Sequence, residues 1–432
     1  MKTTRYIFLL LLLISVLSCS EEDNILPEEV VLPELTSGTA DFSNYVAVGA
    51  SFTAGFTDGG LFIASQENSF PNILSKEFAK VGGGDFTQPL MNDNTGGMVV
   101  GTTPVAAYRL IFNGSATSGG IGMDQTGNFN PATYGFNDIT DPSVFGQVFD
   151  GIVSALTDTG AKGAVTNVPY ITDLPYFTTV PNNALVLDAG TAAQLTGVFQ
   201  AVSGIFLQGA VLQGVPLAQA QALATQYAIT FNEGPNRWII DVPVTQSNPL
   251  GFRQMTEDEL LLLTIDRAAL AQGYGTVALT PQVLQVLGIL QSGGTPTAQQ
   301  AGLVIAAVNG IDDKDALDTD ELASIKTATD AYNSTIAAVA NSNENIALVD
   351  LNAILTEIAS TGIDFDGFNL TADLVTGGAV SLDGIHLNAR GYAFMANKFL
   401  EAIDASFGSN FMASGNVAKA SNYGTIYSAQ LP

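Results

Sequence analysis

The sequence predicts an α/β fold built on a parallel sheet, and two observations lead there. Short apolar runs closed by Gly, Pro or Asp recur along the chain, with the length and composition of buried parallel strands. Segments with apolar residues at helical spacing separate them, and alternation of strand and helix is the pattern of helices layered on a parallel sheet.

The elements follow in order. Tyr45-Val46-Ala47-Val48-Gly49 reads as a buried parallel strand closed by glycine. Tyr108-Arg109-Leu110-Ile111-Phe112 is a second strand candidate. Val144, Phe145, Val148, Ile152 and Leu156 fall close to helical spacing and predict a helix that starts near Asp141. Residues 162–169 read as a strand ended by Pro169, 329–341 as a helix, and 346–351 as a strand. Tyr392, Met395, Phe399, Leu400 and Ile403 share one face of a C-terminal helix.

Between these elements lies a long insertion, residues 174–344, rich in Ala, Gln and Leu. It is expected to be a mostly helical cap, with Trp238-Ile239-Ile240-Asp241-Val242 as a strand inside it. Its apolar stretch 197–216 is interrupted by Gln and Gly and reads as protein packing. The acidic run from Asp312 to Glu321 invites a calcium reading. Counted from Asp313, however, the sixth and twelfth positions are Asp318 and Ser324, where an EF-hand loop needs Gly and Glu. A solvated acidic turn ahead of a helix starting near Asp318 is the reading retained. The domain layout is then 1–18 leader, 19–40 linker, 41–173 with 345–410 as core, 174–344 as cap, and 411–432 as tail.

Charge narrows the function classes. The chain has 432 residues with 41 acidic and 14 basic side chains, a formal net charge of -27. Nucleic acid and anionic lipid surfaces need clustered Lys and Arg, so both are poor partners. One Cys and one His rule out a disulfide framework and zinc sites of several Cys or His ligands. No metal or cofactor is expected.

The N-terminus reads as an address. Lys2 and Arg5 precede an apolar run from Ile7 to Leu17, too short to span a bilayer, that ends in Val16-Leu17-Ser18-Cys19. This resembles the lipobox of bacterial lipoproteins, which implies cleavage before Cys19 and acylation of its thiol and amine. The following Ser20-Glu21-Glu22-Asp23 resembles the surface-export signal of Bacteroidetes lipoproteins, though a solvated linker gives the same run. An outer-membrane lipoprotein, exported to the cell surface if that signal acts, is the implied location.

The candidate chemistry sits at the two ends of the core. The first strand runs into Gly49-Ala50-Ser51-Phe52-Thr53-Ala54-Gly55, which places Ser51 at the carboxyl end of a strand, where α/β folds bind ligands. Near the C-terminus stands Ser381-Leu382-Asp383-Gly384-Ile385-His386-Leu387-Asn388. Asp383, three residues before the only histidine, can reach Nδ1 and fix the tautomer, so that Nε2 of His386 can take a serine proton.

Together these blocks resemble the first and last blocks of the SGNH (GDSL-type) serine hydrolases, with Ala50 where the family has Asp. Asn167-Val168-Pro169-Tyr170 and Leu174-Pro175 resemble the Pro-containing stretch after a central strand in large Bacteroidetes lipoprotein members. The resemblance implies a three-layer α/β/α sandwich with a five-stranded parallel sheet. It also implies metal-free ester hydrolysis by Ser51, His386 and Asp383. The family takes oxyanion donors from the Ser N–H, a Gly N–H and an Asn side chain in a Gly-x-Asn-Asp block. Gly135-Phe136-Asn137-Asp138 is the matching string, which nominates Asn137, yet the residues before it are polar and Asn and Asp favour turns. Asn113-Gly114 is the alternative, and no residue matches the second-block Gly.

A lipid-anchored esterase acting on a neutral lipid-type or glycan acyl ester is the leading expectation. A surface binding protein that keeps the hydrolase scaffold is the competing class, and an acyltransferase using the same triad is a third.

Overall fold

A computed structural model describes residues 31–100, 103–106, 108–115, 120–122 and 139–431. The leader, Cys19 and Asn137 lie outside the described residues. In chain order the elements that build the molecule are α1 (Ser51–Ala54), α2 (Phe70–Phe78), α3 (Pro142–Thr157), β1 (Gly163–Thr166), α4 (Ala189–Leu212), α5 (Leu217–Thr225), α6 (Pro281–Gln291), α7 (Ala298–Ala306), α8 (Thr319–Ser342), β2 (Ile346–Val349), α9 (Leu351–Ser360) and α10 (Ala389–Phe407).

The chain mixes helices with short strands. β1 and β2 form a parallel pair in the register Gly163 to Ile346 through Thr166 to Val349. Every other strand pair among the described residues is antiparallel. Helices α8 and α10 both pack against this pair. In α10 the spacing seen in the sequence becomes a buried face with Tyr392, Met395, Phe399, Leu400 and Ile403. Phe70 of α2 stacks on Phe399 with ring centroids 4.8 Å apart. The first core gathers around α10, with Phe42, Ile73, Val349, Leu355 and Leu387 among its members.

A second core lies in the insertion. The α4 face bearing Leu195, Val198, Phe199 and Val202 is buried there, with α5, α6 and α7 packed on that helix. By length and composition α4 is able to cross a membrane, and Val211 and Leu212 at its C-terminal end are exposed. Helices make up the larger part of the insertion, and four short antiparallel strand pairs run through it as well, among them Ile239–Asp241 with Phe252–Gln254. The expected boundary at residue 344 does not follow the packing. Helix α8 lies against α3, with Phe145 and Tyr332 rings 4.4 Å apart, and belongs to the first layer around β2. Asp318 caps α8 and forms a reciprocal capping box with Glu321, so the acidic run is a helix start.

Three expectations change. Residues 45–49 are extended but pair with no strand among the described residues. Val46 and Val48 are 71% and 63% exposed while Tyr45 and Ala47 are partly covered, so only one face is packed. An apolar run specifies an extended segment that benefits from burial, but not a neighbour to cover its second face. The second candidate is displaced by three residues: Ile111–Ser115 is the strand, antiparallel to Gly120–Gly122, and Tyr108 is exposed. Helix α3 forms as expected, capped by Asp141, but Val144, Val148, Ile152 and Leu156 face outward and Val153 is its buried residue.

Candidate active site

The histidine side of the site is a short loop between the first core and α10. Ser381 N–H donates to the His386 carbonyl (2.7 Å) and Gly384 N–H to the Ser381 carbonyl (3.0 Å), which closes residues 381–386 into a turn. Gly384 has φ +77°, and a Cβ there would stand 2.7 Å from the Tyr176 nitrogen, so glycine is required twice over. Tyr176 N–H donates to the Gly384 carbonyl (2.9 Å), and Leu263 N–H donates to the Tyr176 carbonyl (2.7 Å). The insertion thus touches the loop that carries Asp383 and His386. Asn388 then caps α10 by accepting from Gly391 N–H (2.9 Å) and fixes where the loop ends.

The serine side is one helical turn. Ser51 is the first residue of α1, and Gly55 closes it in the left-handed conformation at φ +81°. A Cβ at Gly55 would lie 2.8 Å from the Ser65 carbonyl oxygen, so the glycine also permits close approach of the next helix.

The two sides meet across 335 residues of sequence. Ser51 Oγ lies 2.9 Å from His386 Nε2, and His386 Nδ1 lies 3.0 Å from Asp383 Oδ2. Asp383 Oδ1 also accepts from the N–H groups of Ile385 (2.9 Å) and His386 (2.8 Å). Burial pushes the Asp383 carboxyl up, but the His386 hydrogen bond, the imidazole charge and the two N–H donors outweigh it and hold the carboxyl below its ordinary value. Asp383 is therefore an anion aimed at Nδ1, the arrangement that leaves Nε2 free to accept a proton. The rings of Phe56 and Phe52 lie 4.6 Å and 5.4 Å from the imidazole and wall it on the apolar side. Tyr392 hydroxyl donates to the Phe56 carbonyl (2.7 Å) and ties that wall to α10.

All three triad candidates from the sequence are thus brought together. Asn113 lies in the antiparallel strand Ile111–Ser115, which does not lead into Ser51. No group of three or more His, Cys, Asp or Glu side chains suited to a metal occurs among the described residues. A surface cleft bordered by Thr264, Tyr274, Lys314 and Asp315 lies wholly within the insertion and includes none of the triad.

Residues the sequence reading passed over also matter. Thr57 and Gly60 exchange two backbone hydrogen bonds of 3.0 Å around Asp58 and Gly59, both at positive φ. This is the two-residue turn that an Asp-Gly dipeptide favours, so the signal was present in the sequence. Gly59 N–H donates to Asp383 Oδ2 (2.9 Å), and Asp58 N–H donates to Ser381 Oγ (3.0 Å).

Comparison with protein families, with curated proteins and with solved structures found no significant match to this chain.

Proposed function

We propose that this chain is a lipid-anchored serine esterase of the SGNH type. One observation carries the reading: a single chain of contacts, Ser51 Oγ to His386 Nε2 at 2.9 Å and His386 Nδ1 to Asp383 Oδ2 at 3.0 Å. Helices α8 and α10 packed on the β1–β2 pair agree with a three-layer α/β/α arrangement around that site.

In this reading Ser51 Oγ attacks the acyl carbon and its proton passes to His386 Nε2. Asp383 balances the imidazolium without taking its proton. The Ser51 N–H and Asn137 stabilise the oxyanion. The leaving alcohol departs with the proton from Nε2, and a Ser51 acyl ester remains. Water then loses a proton to Nε2, attacks that ester and releases the acid. Attack needs a neutral imidazole to accept the Ser51 proton. Cys19 anchors the protein in the outer membrane through its acyl chains, each buried CH₂ contributing about 0.8 kcal/mol. The net charge of -27 disfavours polyanionic substrates and leaves neutral acyl esters of lipid or glycan type. The insertion borders the loop through Tyr176 and shapes the acyl or alcohol site.

A scaffold that binds without turnover is the second reading. Segment 45–49 ahead of Ser51, which pairs with no strand among the described residues and exposes Val46 and Val48, favours it, because a nucleophile on a loosely held segment is poorly preorganised. A fluorophosphonate probe separates the two. Stoichiometric labelling that disappears in Ser51→Ala supports the esterase, and no labelling of the wild-type protein at high probe concentration overturns it.

A further inference from the structure

Against the loop that carries Asp383 and His386 sits a second carboxyl. Asp58 occupies a left-handed position at φ +53° and is 1% exposed. Its turn grips three successive residues of the loop. Asp58 N–H donates to Ser381 Oγ (3.0 Å), Asp58 Oδ1 accepts from Leu382 N–H (3.0 Å), and Gly59 N–H donates to Asp383 Oδ2 (2.9 Å). The oxygen that Gly59 holds is the one that faces His386 Nδ1. Leu110 N–H donates to the Asp58 carbonyl (2.6 Å) and braces the turn from behind.

We propose that Asp58 is a positioning residue for the Asp383–His386 pair, holding loop 381–384 in place through its backbone turn and its buried carboxyl. The inference rests on the hydrolase reading for its catalytic consequence, but not for its geometry. The chemistry of the second carboxyl oxygen supports it. Asp58 Oδ2 is buried with no hydrogen-bond partner among the described residues, a poor place for an anion. Burial pushes this carboxyl up to about 7, and the Asp383 charge adds to the rise, while the Leu382 N–H and the Arg109 guanidinium oppose it. The titratable and charged groups that face it are Asp383 on the loop, Arg109 ahead of strand Ile111–Ser115, and Tyr427 in the C-terminal segment. Two neighbouring carboxyls are thereby driven in opposite directions, Asp383 down and Asp58 up. While Asp58 is neutral, Asp383 is the single anion beside the imidazole. As pH rises through about 7, Asp58 ionises, and two negative charges, one on the turn and one on the loop it grips, repel one another and loosen the loop.

The chain has one histidine, so its ring N–H signals in proton NMR need no assignment by mutation. The test uses the full chain in detergent, with Asp58→Asn and Asp58→Ala. The wild type should show a downfield Nδ1–H resonance at pH 6 that broadens as pH passes about 7. Asp58→Asn keeps the acceptor for Leu382 N–H and removes the titration. It should retain the resonance with no broadening near pH 7, and it should label faster than the wild type above pH 7, where the wild-type carboxyl is charged. Asp58→Ala loses the acceptor, so the resonance should vanish and labelling should slow by about 10-fold to 100-fold. A folded Asp58→Ala protein with the resonance and labelling rate of the wild type overturns the proposal. So does an Asp58→Asn protein that still broadens through pH 7, and this arm decides the matter if Asp58→Ala does not fold. Failure of the esterase reading shows separately, as a wild-type protein that keeps the resonance and its pH response but never labels.

Discussion

The two halves of the candidate triad are held in different ways. His386 and Asp383 sit on a loop fixed from three directions: by the Asp58-Gly59 turn, by Tyr176 of the insertion, and by the Asn388 cap of α10. Ser51 follows an extended segment that pairs with no described strand and leaves Val46 and Val48 in solvent. The difference teaches where preorganisation resides here. His386 and Asp383 are placed by hydrogen bonds from several elements, whereas Ser51 depends on one helical turn and its glycine cap.

The largest effects should come from the well-held half. Asp383→Asn keeps the shape of the side chain but favours the wrong imidazole tautomer, so turnover should fall by about 10⁴-fold. Probe-labelling rates measure it, and a loss under tenfold would mean that Asp383 is not the orienter. The core under that half gives the next effect. Phe399 is buried, stacks on Phe70, and belongs to the helix that follows the loop, so Phe399→Ala should cost about 3–5 kcal/mol in urea unfolding.

A pH series sharpens the comparison further. Asp58 has a folded-state value raised from 3.8 to about 7, so its neutral form favours the native state below pH 3.8 and that contribution is lost as pH rises to about 7. Asp58→Asn escapes the loss. Its stability relative to wild type should therefore climb between pH 4 and pH 7, by at most roughly 4 kcal/mol. Urea midpoints at pH 4, 5.5 and 7 follow the change, and a flat difference would place the Asp58 carboxyl in solvent. The smallest effect belongs to the serine half. Val46→Ser and Val48→Ser alter exposed side chains and should move stability by less than about 0.5 kcal/mol. A loss above 2 kcal/mol in either would show that a partner strand covers this segment, and would remove the contrast between the halves.

Much of this was legible in the sequence where the information is local. The spacing of Tyr392, Met395, Phe399, Leu400 and Ile403 marks residues that α10 buries, although burial runs round most of that helix and covers Ala393, Phe394, Ala396 and Asn397 as well. The pairing of Asp383 with His386 is legible because three residues of a turn suffice to bring a carboxylate to Nδ1. Asp318 and Asp141 are legible as helix starts because a short polar side chain satisfies free N–H groups within its own turn.

The sequence by itself therefore determined the helix starts at Asp141 and Asp318, the places of the β1 and β2 strands and the pairing of Asp383 with His386, whereas α8 runs Thr319–Ser342 and not only over the expected 329–341. Only the tertiary structure decided that Ser51 and His386 meet at 2.9 Å, that Asp58 stands against the loop that carries Asp383, and that α8 belongs to the core rather than the insertion. It also decided that α3 turns Val144, Val148, Ile152 and Leu156 to solvent and that residues 45–49 have no partner strand among the described residues. The reason is physical. Periodicity and turn chemistry are set by neighbours within a few residues, whereas burial of a face and contact across 335 residues depend on which distant surface arrives to cover it.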